Sequence, residues 1–318
     1  MNADQQHLQD LCRHFSYPPE AEASLIRAWE TLSRIPACRE LLSQNRELLF
    51  SGGLRAPNSE LQRLDLAAQK SNLHPFTVHL LFYLLCGPEL KQLYLRRHLS
   101  ADLWHNAMLD LKYKLLETHQ VYGLWGVHCG GWFKPFFTLD RLALGRLQFE
   151  ITDAITEDPH PALKLKAGDP VINVHIPSCG PLDYAQVLDA YGQAARFFRD
   201  RFSFPAIPFQ CESWMLYPRV KNLYPEGNLR RFTDDYQVRL AGIDPRVDDR
   251  WRVFAVPDTT PVSDYPENTR LQRKLKQWLL EGNQMGIGVG YFRFRDGAVL
   301  PHDAEPLLGD DTAVIYLP

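Results

Sequence analysis

The hydrophobic period of this chain changes once, near Gly123, and a chain whose period changes cannot fold as one uniform architecture. Up to residue 122, apolar residues recur every three to four positions, the spacing that buries one stripe of a helix. Pro18-Pro19 precedes EAEASLIRAWETLSRI, where Ala23, Ile26, Trp29 and Leu32 share a face. Pro36 opens a second helix, Asn58-Ser59-Glu60 a third, and SNLHPFTVHLLFYLLC reads as a largely buried one. Ser100 is placed to cap SADLWHNAMLDLKYKLLETHQ, which lines up Leu103, Met108, Leu111 and Leu115. Residues 1–122 therefore predict an all-helical domain.

GLWGVHCGGWFKPFF, with four glycines and two tryptophans in fifteen residues, reads as a loop and domain junction. Beyond it the period shortens to two, the signature of strands. LGRLQFEIT and LKLKAGDPVINVHI are expected to pair as a hairpin. FQCESWMLYP, YQVRLAGI, WRVFAVP and GIGVGYFRF read as further strands. Two helices interrupt them. Asp183 caps DYAQVLDAYGQAARFFRDRF, with Ala185, Leu188, Ala195 and Phe198 facing inward, and NTRLQRKLKQWLLEG precedes the last strand. Residues 123–318 thus predict an α/β domain, a mixed sheet covered by helices.

Several partner classes are excluded by composition. Apolar residues make up 45% and charged residues 23%, the balance of a soluble globular protein, and a net charge of −3 offers nothing to a nucleic-acid backbone. The N-terminus is polar rather than a signal peptide, and the most apolar run, 76–87, is too short to span a bilayer and contains His79. A cytoplasmic location follows. The six cysteines include no CxxC pair and read as free thiols. His98, Asp102 and His105 have helical spacing, but the cap at Ser100 puts His98 before the helix, so no metal is expected.

The chemistry concentrates in VINVHIPSCGPLDY. A strand running through Val174 and His175 stops at Pro177, turns through Ser178, Cys179 and Gly180, and opens a helix after Leu182. Such a turn is a bare connection, an anion cradle, where its N–H groups and the helix dipole converge, or the place where a nucleophile is displayed. The strand after the helix carries Cys211-Glu212-Ser213-Trp214 and is expected to lie beside the strand bearing His175. Glu150 and Glu212 are carboxylates inside strands, expensive unless ion-paired (to Arg146 or Arg219) or used as bases. Cys179 or Cys211 with His175 would make a nucleophile pair, although no third orienting group is evident. Gly286, Gly288 and Gly290 lie on one face of their strand, which indicates close backbone packing.

LGRLQFE, GDPVINVHIP, FQCESWMLYP and NLRRF together resemble the bacterial acyltransferase-domain proteins with a helical N-terminal domain and a GNAT-like C-terminal domain. The resemblance spans nearly the whole chain. It implies an acyl-CoA-dependent N-acyltransferase using acetyl-CoA or another acyl-CoA, with a small-molecule amine as acceptor. It implies a strand, 171–176, splayed from its neighbour, 209–216, with the thioester carbonyl near the backbone of Val174 and His175. It places the pyrophosphate over Ser178, Cys179, Gly180 and Leu182. Glu212 or His175 would serve as base, Glu150 would flank the acceptor's approach, and Tyr217 would protonate the departing thiolate. SCGPL stands where the family's usual [QR]xxGx[GA] signature is expected. The alternatives are a Cys–His acyl transferase or hydrolase using Cys211 or Cys179, and a non-catalytic metabolite-binding protein.

Overall fold

In the computed structural model the described residues are 3–54, 56, 58–158, 165–203, 205–244 and 249–302. The chain divides into two compact units, Met1–Leu142 and Ala143–Pro318.

The first unit is helical: α1 (Ala3–His14), α2 (Pro19–Arg34), α3 (Pro36–Ser51), α4 (Leu61–Ser71), α5 (Pro75–Leu85), α6 (Gly87–Arg96), α7 (Ala101–Tyr122) and α8 (Lys134–Thr138). Proline sits in the first turn of α2, α3, α5, α6 and α8, where its missing N–H costs nothing. Ser100 caps α7 by accepting from the Leu103 N–H, and Gly123 ends it in the left-handed region. From Thr77 to Leu85 every residue of α5 is buried, so it forms the centre of the unit. In α2 the buried stripe is Ala21, Leu25, Ala28, Trp29 and Leu32 rather than one through Ala23 and Ile26.

The glycine-rich segment after α7 packs into this unit instead of forming an open junction. Val127 N–H donates to Phe76 O, a Cβ at Gly126 would collide with the Phe76 backbone, and Phe133, Phe136 and Phe137 are buried. Gly126 is there because two backbones meet.

The second unit contains β1 (Arg141–Leu144, which carries the chain into it), β2 (Leu147–Asp153), β3 (Pro170–His175), α9 (Tyr184–Phe197), β4 (Ile207–Ser213), α10 (Pro218–Lys221) and α11 (Asn228–Asp234). It continues with β5 (Gln237–Gly242), α12 (Arg250–Phe254), α13 (Arg270–Leu280), β6 (Ile287–Arg295) and β7 (Ala298–Val299). The strand order is β1-β2-β3-β4-β6-β5, with β7 on β6. β3 and β4 run parallel, while β2–β3, β4–β6, β5–β6 and β6–β7 are antiparallel. α9 is the crossover between β3 and β4. Its Tyr191 ring meets Phe209, Phe292 and Phe294, and Phe209 stacks on Phe292 at 4.8 Å. The opposite face is partly polar, with Gln210 accepting from Tyr291 Oη and from the Ile155 N–H, and with Asp158 between Arg239 and Arg293.

Two expectations are corrected. WRVFAVP is not a strand: 250–254 form α12, ended by Ala255 in the left-handed region, with Phe254 buried against Tyr265. In α9 the inward stripe is Val187, Ala190, Tyr191 and Ala194, whereas Ala185 faces solvent. Tyr191 is the large residue that reaches the sheet, so it sets the rotation of the helix. No helix among the described residues is long and apolar enough to cross a membrane.

Candidate active site

The ladder between β3 and β4 has two rungs, Ile172↔Phe209 and Asn173↔Gln210, and then stops. β3 continues to His175 and β4 to Ser213, each still paired on its outer side, to β2 and β6 respectively. The two central strands therefore part, and neither Val174 nor His175 has a partner in β4. Pro177, buried just beyond, has no N–H with which to extend the ladder.

The pleat sorts the side chains around this parting. Gln148↔His175 and Glu150↔Asn173 are opposite pairs on β2 and β3, so Glu150, Asn173 and His175 share a face. His175 Nε2 donates to Glu150 Oε1 at 2.6 Å, and Asn173 Nδ2 donates to the same oxygen at 3.4 Å. An ionised Glu150 can only accept, so in that state Nε2 carries the proton and Nδ1 is the basic ring nitrogen. Glu150 is thus neither an isolated carboxylate nor the partner of Arg146. It is the orienting group of a His–Glu pair.

Glu212 lies on the same face, across the parting, two residues beyond Gln210. Among the described residues it pairs with no cation. Desolvation, and then the nearby carboxylates of Asp249 and Asp244, hold its carboxyl above the usual range. Tyr217 follows the 3-10 turn Trp214–Leu216, buried with its ring beside Gly286, and burial raises its phenol. Gly288 abuts the Leu216 backbone and Gly290 the Tyr236 Cβ, so these glycines serve close packing as expected.

Cys211 belongs to the other face. It is fully buried, and burial drives its thiol well up, far from thiolate formation. Cys211 and His175 point to opposite sides of the sheet, which removes Cys211 as a partner for His175 and corrects its place among the candidate catalytic residues. Cys179 is half-buried in the turn.

The turn itself runs from Ser178 to Leu182 into α9, whose N-cap Asp183 accepts from the Gln186 N–H. Gly180 has φ +107° and nothing within 4 Å of where a Cβ would stand, so the chain here requires glycine and leaves open space above it. Sequence reading assigned no role in the turn to Arg146. Its Nε donates to Pro181 O (3.2 Å), Nη1 to Pro177 O (3.1 Å) and Nη2 to Gly180 O (2.8 Å). The signal was its place after Gly145 in the β1–β2 turn, which sits against α9 at Ala190 and Gln193. Among the described residues no group of three or more His, Cys, Asp or Glu side chains is disposed to hold a metal ion.

Comparison with known proteins now bears on this geometry. The model of the N-acyltransferase N-terminal domain matches residues 6–139, and that of the GNAT-like C-terminal domain matches 142–292. A solved acyltransferase in complex with decanoyl-CoA and teicoplanin is similar with a TM-score of 0.72 and 20% identity, over 90% of this chain and 87% of that one. Another, in complex with CoA and 10C-teicoplanin, has a TM-score of 0.71 and 19% identity, over 89% and 86%. At such identity the likeness is one of fold. A search of curated proteins gives no significant match. A mixed sheet that parts at its parallel pair, with a helix-opening turn at the parting, defines an acyltransferase of the GNAT-like class. The chain belongs to the family that joins an N-acyltransferase N-terminal domain to a GNAT-like C-terminal domain.

Proposed function

We propose that this protein transfers the acyl group of an acyl-CoA thioester to a primary amine of a small molecule, with His175 as the base. The observation that carries the reading is the parted β3–β4 ladder with the His175–Glu150 pair on its open face. Beyond the last β3–β4 rung the inner edge of β3 offers hydrogen bonds to an extended chain such as pantetheine, and the turn at 178–182 offers its amides to the pyrophosphate. The amine attacks the thioester carbonyl. His175 Nδ1 takes the proton lost by nitrogen, Glu150 stabilises the imidazolium at Nε2, and the thiolate leaves, with Tyr217 the candidate to protonate it. Glu212, on the far bank, supplies a carboxylate to position an incoming ammonium. Acyl-CoA as donor fits the cytoplasmic location expected from the sequence.

The solved acyltransferases of this fold are complexes with decanoyl-CoA, octanoyl-CoA and teicoplanin. Medium-chain acyl-CoA and teicoplanin are therefore the donor and acceptor to try first. Thiol release from octanoyl-CoA is followed with a panel of amines. His175→Ala is expected to lower kcat by about 10²–10⁴ and leave CoA binding in place, as for loss of a general base. Unchanged turnover in that variant removes His175 from the chemistry. CoA binding without turnover by any amine favours a metabolite-binding protein instead.

A further inference from the structure

Arg146 is a cation with only 9% of its surface exposed. Its guanidinium donates to the backbone carbonyl oxygens of Pro177, Gly180 and Pro181, and no carboxylate lies within ion-pair distance among the described residues. A buried guanidinium without a counter-charge is expensive, and three neutral acceptors compensate it only in part. Peptide planarity gives these bonds a second effect. In a trans peptide the N–H points opposite to the C=O of the preceding residue. With the carbonyls of Pro177 and Pro181 turned towards Arg146, the amides of Ser178 and Leu182 are turned away from it. In the same turn Gly180 and Pro181 are exposed, and a Cβ on Gly180 would meet nothing. A positive charge thus lies on one side of the turn, and the N–H groups of Ser178 and Leu182 point to the other.

We infer that Arg146 is the positioning residue of the pyrophosphate subsite, fixing the turn with its amides outward and supplying the charge that a dianionic ligand neutralises. This rests on the acyl-CoA reading of the site. It accounts for a turn with SCGPL in place of [QR]xxGx[GA] and no lysine or arginine of its own: the cation comes from the β1–β2 turn, below the loop instead of within it.

The test compares a donor that has the pyrophosphate with one that lacks it, octanoyl-CoA and octanoyl-pantetheine, on the full-length protein. Arg146→Met is expected to lower kcat/KM for octanoyl-CoA at least tenfold more than for octanoyl-pantetheine, through KM and not kcat. Arg146→Lys, which keeps the charge but cannot span three carbonyls, should recover part of the difference, and it carries the test if the methionine variant does not fold. Equal losses with both donors would reduce Arg146 to a structural role and overturn the inference. Wild-type protein that uses octanoyl-pantetheine as well as octanoyl-CoA overturns the pyrophosphate subsite while sparing the acyltransferase reading. Wild-type protein that uses neither donor and does not bind CoA overturns both.

Discussion

Asp235 shows what burial does to a single carboxyl in this fold. It is buried at the end of α11, where Tyr184 Oη donates to its Oδ1 at 2.6 Å while Oδ2 has no partner. Desolvation dominates, and its pKa rises from 3.8 to about 6. The folded state therefore holds this proton more tightly than the unfolded chain does. The resulting stability is complete below about pH 4 and is lost as pH rises through 6, which makes the ionised group a cost of roughly 2–3 kcal/mol at neutral pH. Asp235→Asn keeps an acceptor for Tyr184 and removes the charge. Thermal unfolding at pH 7.5 should show a higher Tm by a few degrees, with a flatter pH dependence between 4 and 6. A lower Tm at pH 7.5 would show that the carboxylate is compensated after all. The same face-by-face bookkeeping separates Cys211 from His175. Period two was legible in FQCES, but the face occupied by His175 became known only through the register Asn173↔Gln210.

Among elements, the strands beside the site were the most legible because their apolar residues alternate and their ends are marked by Gly, Pro and Asp. The hairpin of β2 and β3, the cap at Asp183 and the glycine-spaced β6 all followed from such local signals. Where a run was short and apolar on both faces, periodicity could not decide, and 250–254 became a helix because Phe254 packs on Tyr265. The Arg146 bonds were beyond reach for another reason: they join residues 31 to 35 positions apart through backbone oxygens, which leave no trace in residue type. Gly288 gives a test at this scale. A Cβ there would overlap the Leu216 backbone, so β6 and the turn Trp214–Leu216 approach closely only with glycine. Gly288→Ala is expected to cost about 1–3 kcal/mol, read as a Tm fall of several degrees. An unchanged Tm would mean that this turn yields freely.

At the scale of the whole molecule, the change of period near Gly123 told the architecture correctly as helices followed by a mixed sheet. It could not tell where the aromatic segment after α7 would go. Phe133, Phe136 and Phe137 are fully buried and hold it in the helical unit, so the division into units falls at Leu142. Glycines that look like a flexible joint in sequence are here points of contact, such as Gly130 against the His79 ring.

The two-rung ladder between β3 and β4 has a further consequence. It joins β1-β2-β3 to β4-β6-β5 through Ile172↔Phe209 and Asn173↔Gln210, so the seam between the two halves of the sheet is weakly stitched. Amide protons along such a seam are guarded by little, and whichever of the Val174 and His175 N–H groups points into the gap should exchange with deuterated water sooner than those of the unbroken β4–β6 ladder. Under the function proposed above, an acyl-CoA laid in the gap would act as the missing rungs. At 100 times its Kd it should slow exchange along the inner edge of β3 and add about 2.7 kcal/mol to stability by mass action. If exchange there is as slow without ligand as in β4, the seam is closed in solution. If exchange there is fast and acyl-CoA slows it, the empty sheet lacks its last stitches and the proposed substrate supplies them as it enters the reaction.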